Sequence, residues 1–383
     1  MILNHLSIVN YKNIAQAELD FSPKINLFIG SNGEGKTNIL DAIYFLSFTR
    51  SATHAAQDSL CIRHGEQDML LAADYDLEGS PEHVTCGLRL HQKKVLRRNR
   101  KAYRRMSEHI GLLPLILISP SDNELVTGGS DERRRFMDIV ISQYNPTYLA
   151  QLSRYNNVLQ QRNALLRQHS QQPASTPLAP DAGLLLDTYE RMMAEAGTYI
   201  YNERARYIDA LIPIFQNYYS RLSCSREQVG LAYTSHAQRG PLLEVIQRDR
   251  QRDLVVGYSL HGVHRDDLDM TLGGFPIRRE GSQGQTKTYL VSLKLAQFDF
   301  LRNVGARTKP LLLLDDIFDK LDARRVAQII DLVGDDHFGQ IFITDTNREN
   351  LDRILSQAAP SAYRIFSVSA GNIAQQPSDS RPA

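Results

Sequence analysis

Cysteine is scarce in this chain, with only Cys61, Cys86 and Cys224 in 383 residues. They are scattered, odd in number and lack ligand spacing, which excludes a disulfide framework and a zinc site and reads as buried thiols in a reducing cytoplasm. An excess of one charge is missing too: 44 Lys and Arg against 43 Asp and Glu leave a formal +1. Bulk basicity therefore offers no argument for nucleic acid, and any such affinity must come from a local patch. No uninterrupted apolar run approaches the roughly 20 residues that span a bilayer, and no basic-then-apolar leader opens the sequence. The expectation is a soluble, cytoplasmic protein with no membrane partner. His5, His54, His64, His83, His91 and His109 are dispersed singly and read as ordinary surface or satisfied histidines.

What the chain does have is a phosphate-binding pattern. Gly30, Ser31, Asn32, Gly33, Glu34, Gly35, Lys36 and Thr37 set two glycines ahead of a Lys-Thr pair, the spacing of a loop whose backbone N–H groups cradle phosphates. The apolar run Ile25–Ile29 before it reads as a strand, and Asn38–Phe48 after it has helical spacing. In that order Lys36 neutralises the β and γ oxygens of ATP and the Thr37 hydroxyl ligates Mg²⁺.

A second half of the site is encoded far downstream. Leu311, Leu312, Leu313 and Leu314 run into Asp315 and Asp316, the composition of a buried central strand whose acids emerge at its carboxyl edge. Asp315 is placed to hold Mg²⁺ and Asp316 to orient or deprotonate an attacking water. Aspartate is shorter than glutamate in that position, which predicts slow hydrolysis. Ser282, Gly284 and Gln285 precede a helix expected over Ser282–Arg302, and small residues and amides at a helix start make a further anion site.

The fold class expected is α/β, a P-loop head interrupted by a helical insertion. Residues 1–130 form the amino-terminal part of the head and 228–370 the carboxyl-terminal part, joined by right-handed crossovers. Between them, over 131–227, Tyr148, Leu152, Tyr155 and Leu159 recur at helical spacing, as do Leu186, Tyr189, Met193, Ile200, Ile208, Leu211 and Phe215. These stripes read as core packing of a helical hairpin, with a Gln-, Ser- and Pro-rich tip over 168–181. Residues 371–383 are polar and expected to be disordered.

The main charge anomaly is Lys93, Lys94, Arg97, Arg98, Arg100, Lys101, Arg104 and Arg105, eight basic residues within thirteen that contain no acid. With Asn99 at a turn, the segment reads as a protruding hairpin carrying phosphate contacts. No base-reading motif accompanies it, so the expectation is sequence-independent binding to duplex DNA with steep salt dependence.

Together these elements resemble the ATP-binding-cassette ATPases of the SMC-like branch, in which the serine-glycine-glutamine segment of one subunit completes the ATP site of the other. Ser119, Pro120, Asp122, Leu125, Val126, Gly128 and the run Arg133, Arg134, Arg135, Phe136, Met137, Asp138 narrow the resemblance to the RecF recombination mediator proteins. So do Leu313–Asp322, with its closing Leu321-Asp322 pair, and His264, Arg265, Asp266, Asp267, Leu268. Val263, Ser121 and Lys12 depart from the family pattern without removing a phosphate or magnesium ligand. The resemblance implies a DNA repair protein that binds gaps as an ATP-dependent homodimer and works with RecR and RecO to help place the recombinase RecA on single strands. It also implies that Ser282 reaches the γ-phosphate of the second copy. Two alternatives are an ATPase subunit of a membrane transporter and a nuclease-associated ATPase. The first usually carries a glutamate base and a switch histidine, whereas Asp316 and the histidine-free Thr344-Asp345-Thr346 stand here; the second needs a further metal cluster, and none is evident.

Overall fold

The computed structural model describes residues 1–53, 57–173, 177–223, 227–304, 308–318, 323–334, 337–346 and 363–376. Two compact units divide the chain, the first from Met1–Asp122, Asn217–Arg226 and Ser282–Ala383, the second from Asn123–Gln216 and Glu227–Gly281.

The first unit opens with strands β1 (Ile2–Tyr11), β2 (Ile14–Asp20) and β3 (Ile25–Ile29), then helix α1 (Lys36–Phe48). Strands β4 (Asp68–Leu77), β5 (Ser80–Arg89), β6 (Val95–Arg98), β7 (Lys101–Ala102) and β8 (Leu115–Ile118) follow. One sheet has the order β2-β1-β4-β5-β6-β7 and is antiparallel throughout. Its strands alternate: Met69, Leu71, Ala73 and Tyr75 of β4 are buried while Asp68, Leu70 and Asp74 are exposed, as expected of a sheet with one face on the core. Cys86 is on the buried face of β5, where desolvation pushes its thiol up to about 12. Cys61 is buried as well, and Cys224 lies outside the described residues.

The second unit contains α2 (Asn123–Thr127), α3 (Ser130–Tyr144), α4 (Pro146–Ser170), most of α5 (Pro180–Ser223), β9 (Val229–Thr234), α6 (Leu242–Arg248), α7 (Arg250–Val256), β10 (Asp267–Leu272), β11 (Phe275–Pro276) and α8 (Ile277–Glu280). The buried stripe of α4 is Tyr148, Tyr155, Val158, Arg162 and Leu166; Leu152 and Leu159 are only half-buried. Arg162 is fully buried because Glu190 on α5 and Asp253 on α7 hold its guanidinium at 2.8 and 2.7 Å. That triad, and the packing of α7 on α4 and of β10 on α3, explain why residues 227–281 cluster with the helices. The boundary expected from sequence, a helical insertion over 131–227 with 228–370 returned to the head, is therefore shifted: the chain rejoins the first unit at Ser282.

From there the first unit continues with α9 (Gln283–Val304), β12 (Leu311–Asp315), α10 (Ala323–Gly334), β13 (Ile341–Asp345), β14 (Tyr363–Ser369) and β15 (Asn372–Gln375). These complete its other sheet, of order β15-β14-β3-β13-β12-β8, parallel except for the β14–β15 hairpin. All five residues of β12 and of β13 are buried, the continuous apolar pattern of a parallel sheet covered on both faces. Helix α1 is buried on nearly all sides because it packs against strands of both sheets. The expected disordered tail from residue 371 is corrected by β15, which pairs Asn372–Gln375 with Ser369–Phe366. Residues 377–383 lie outside the described residues.

Candidate functional site

The parallel sheet positions the residues expected to bind nucleotide at the carboxyl ends of its strands. The chain leaves β3 into the loop Gly30–Gly35 and enters α1 at Lys36. Gly33 has φ 83°, a left-handed conformation that costs a residue with a Cβ strain. Gly30 is required for a different reason, since a Cβ there would lie 2.3 Å from the Val368 carbonyl oxygen of β14. Ser31, Asn32 and Gly33 are exposed at the loop apex and Glu34 is half-buried. Lys36 is buried, and its ammonium donates to the Gly30 and Ser31 carbonyls at 2.8 and 3.1 Å.

Two strands away, Asp315 ends β12. The Thr37 hydroxyl lies 3.0 Å from both Asp315 carboxylate oxygens, and the Thr344 hydroxyl at the end of β13 donates to Oδ1 at 2.7 Å. Burial raises the Asp315 carboxyl above its ordinary value, against the lowering effect of these hydroxyl donors. A hydroxyl and a carboxylate converging at the mouth of the loop are hard oxygen donors of the kind Mg²⁺ takes alongside phosphate oxygens, so Thr37 and Asp315 fit that ion. Asp316 follows with φ 43°, a strained conformation that aspartate tolerates better than most residues. Its N–H donates to the Thr344 hydroxyl at 3.0 Å, and the Lys287 ammonium of α9 approaches its carbonyl at 3.5 Å. Thr344 thus aligns both acids. In the sequence Thr344 stands out only for not being histidine; the signal of its role is a hydroxyl at the carboxyl end of the strand between β3 and β12.

Ser282 and Gln285 cap α9. The Ser282 N–H donates to the Gln285 side-chain oxygen at 2.8 Å, and the Gln285 N–H donates to the Ser282 hydroxyl at 3.2 Å, the reciprocal pair of a capping box. Gly284 is closely approached by the Arg325 guanidinium, 2.6 Å from where a Cβ would stand. Ser282 is exposed. The segment Asp319–Asp322 lies outside the described residues.

The arginine triplet is taken up within the second unit. Arg133 pairs with Asp267 and donates to the Leu125 and Gly128 carbonyls at 3.3 and 3.1 Å. Arg134 donates to the Asp266 carbonyl at 2.7 Å, and Arg135 reaches Glu132 at 4.0 Å. Asp266, from the His-Arg-Asp-Asp segment, also pairs with the buried Arg204 at 2.8 Å.

Within the basic segment 93–105, β6 and β7 form a hairpin turned by Asn99 and Arg100, with φ 48° and 70°, the left-handed pair of a type I′ turn; Lys93, Lys94, Arg104 and Arg105 flank it. Two of the eight are committed inside the fold. Lys94 is half-buried, donates to Asp58 at 2.6 Å and to the Thr49 carbonyl, and lies 5.4 Å from the centre of the Phe45 ring. Arg98 grips Glu82, holding that carboxyl below its usual value, while Asn99 donates to Glu82 at 2.8 Å. Lys93, Arg97, Arg100, Lys101, Arg104 and Arg105 are exposed.

Among the described residues no helix is long and apolar enough to cross a membrane, and no cluster of three metal-ligating His, Cys, Asp or Glu side chains occurs.

Comparison with known proteins agrees with this geometry. The family model described as RecF/RecN/SMC N terminal domain matches residues 2–373. The chain is 55% identical to the DNA replication and repair protein RecF of Phocaeicola vulgatus over 98% of its own length and 99% of that protein. It is 56% identical to that of Bacteroides fragilis, over 97% and 98%. Among solved structures, the recombination mediator protein RecF with ATP in the RecFOR pathway superposes with a TM-score of 0.84 at 25% identity, covering 98% of both chains. The Smc head domain from Pyrococcus furiosus superposes at 0.58 with 16% identity over 98% and 96%, a likeness of fold alone.

Proposed function

The chain belongs to the RecF family of DNA replication and repair proteins, and from that premise we propose that it closes into a dimer around ATP on gapped DNA and opens on slow hydrolysis. It has the ATPase head of that family, and the RecF relatives do not favour the transporter and nuclease-associated alternatives. The observation that carries the proposal is the convergence of Thr37, Asp315 and Thr344 beside the Gly30–Lys36 loop.

In this reading the loop N–H groups and the α1 amino terminus receive the phosphates. Lys36 exchanges the Gly30 and Ser31 carbonyls for phosphate oxygens, a local rotation of one side chain. Thr37 and Asp315 hold Mg²⁺, which would neutralise phosphate charge. Asp316 orients the attacking water. Ser282, exposed and preset by its capping box, is offered to the γ-phosphate held by the second copy. ATP therefore acts as a clamp, by its greater affinity for the closed state. DNA is held without sequence readout by the exposed arginines and lysines of the β6–β7 hairpin. RecO and RecR are the partners through which it acts on RecA loading at single-strand gaps.

Sedimentation with and without ATP and Mg²⁺, in the presence and absence of duplex DNA, tests this reading beside Lys36→Met. The expected result is a dimer that forms only with ATP, binds DNA more tightly and is lost in the variant. A protein that stays monomeric when saturated with ATP and DNA would sink the clamp.

A further inference from the structure

The phosphate loop is gripped from outside by residues that belong to no nucleotide-binding motif. Asn13, in the turn between β1 and β2, donates from Nδ2 to the Glu34 carbonyl at 3.1 Å and accepts on Oδ1 from Asn38 Nδ2 of α1 at 2.7 Å. One side chain therefore ties the last turn of the loop to the helix it feeds. Beside Asn13, the Gly371 N–H donates to the same Glu34 carbonyl at 2.9 Å, and the Ala370 N–H donates to the Glu34 carboxylate. Ala370 and Gly371, with φ 49° and 79°, form the turn of the β14–β15 hairpin.

The approach is too close to be incidental. A Cβ on Gly35 would stand 2.7 Å from the Asn13 amide, and one on Gly371 would stand 2.3 Å from the Asn13 carbonyl oxygen. Two donors hold the Glu34 carbonyl towards Asn13 and Gly371, and the peptide N–H that follows it, that of Gly35, is thereby turned to the other side. The Glu34 carboxylate is an anion at the rim of an anion-binding loop. Left loose, it would compete with phosphate for the loop N–H groups; the Ala370 N–H holds it outward.

We propose that Asn13 and the Ala370–Gly371 turn form a clamp on Glu34 that keeps the phosphate loop open for nucleotide, making Asn13 a positioning residue and the carboxyl-terminal hairpin a determinant of ATP affinity. The inference rests on the ATP-binding reading of the Gly30–Thr37 loop. It predicts that the clamp acts on affinity more than on stability, since its hydrogen bonds are peripheral while the loop geometry they fix is the binding surface.

ATP titration of the full chain, with the nucleotide-free melting temperature measured on the same samples, tests it in Asn13→Ala and Gly371→Ala beside the unaltered protein. Asn13→Ala removes both side-chain hydrogen bonds, to Glu34 and from Asn38, and loss of the one that fixes the loop should weaken ATP binding about three- to tenfold. The melting temperature should fall by about 2 °C or less in a chain of this size. Gly371→Ala, which drives a methyl into the Asn13 carbonyl, should weaken ATP binding at least as much. Where turnover is followed, KM for ATP should rise with kcat held. Unchanged affinity in both variants overturns the clamp, and so does a loss of affinity that only tracks a large fall in melting temperature. Failure of the unaltered protein to bind ATP would instead overturn the nucleotide reading beneath it.

Discussion

Thr344 shows how one hydroxyl can organise two acids. It donates to Asp315 at 2.7 Å and accepts from the Asp316 N–H at 3.0 Å, so removing it loosens the carboxylate proposed to hold Mg²⁺ and leaves a backbone donor without its acceptor. Thr344→Val keeps the volume and deletes both bonds. We expect Mg²⁺-dependent ATP binding or turnover to fall roughly 10- to 100-fold, as for other groups that orient a metal ligand. Stability should fall by about 1–2 kcal/mol. A Mg²⁺ titration of ATP binding against the unaltered protein checks this, and an unchanged titration would remove Thr344 from the site. The arginines of 133–135 illustrate the opposite outcome: a motif specific enough to narrow the family resemblance proves to be engaged in ion pairs and carbonyl contacts inside its own unit.

At the scale of elements, the β6–β7 hairpin is where charge and backbone meet. Its basic residues divide into those that hold the hairpin, Lys94 and Arg98, and those that face solvent, including Arg97, Arg100 and Lys101. The two groups should respond differently. Replacing Arg97, Arg100 and Lys101 with alanine should weaken duplex binding at every sequence and reduce the salt slope by roughly 0.9 for each DNA phosphate that is no longer neutralised. Arg98→Ala should instead destabilise the hairpin by leaving Glu82 without its arginine, with a smaller change in slope. Fluorescence anisotropy over a salt series separates them, and equal slopes for the triple variant and the unaltered protein would place DNA elsewhere.

Across the whole molecule, both units carry histidines held neutral by burial. His109 donates from Nε2 to the Leu46 carbonyl at 2.6 Å and accepts from the Tyr103 hydroxyl at 3.2 Å, and burial lowers it to about 4. His264 has the same pattern, with the Ser259 carbonyl at 3.1 Å and the Tyr155 hydroxyl at 2.8 Å, and is likewise lowered to about 4. A histidine depressed in the folded state is protonated first in the unfolded chain, so stability is lost as pH falls from about 6.5 towards 4. Each site should contribute on the order of 2–3 kcal/mol to that loss. Urea midpoints measured over this range should fall with pH, and less steeply in His264→Gln; a flat profile would contradict neutral burial. The sequence by itself determined the glycine-rich loop between β3 and α1, the buried strand ending in Asp315 and the basic hairpin, because each is a local pattern whose residues are neighbours along the chain. It also marked the helical stripes, but not that Arg162 lies within one, since only Glu190 and Asp253 make such burial tolerable. Tertiary structure alone decided that residues 227–281 join the helices, that Thr344 bridges the two acids, and that the hairpin at 363–376 closes on a loop more than three hundred residues earlier. Those are contacts between distant segments, set by strand order and packing, and no periodicity or spacing in the chain records them.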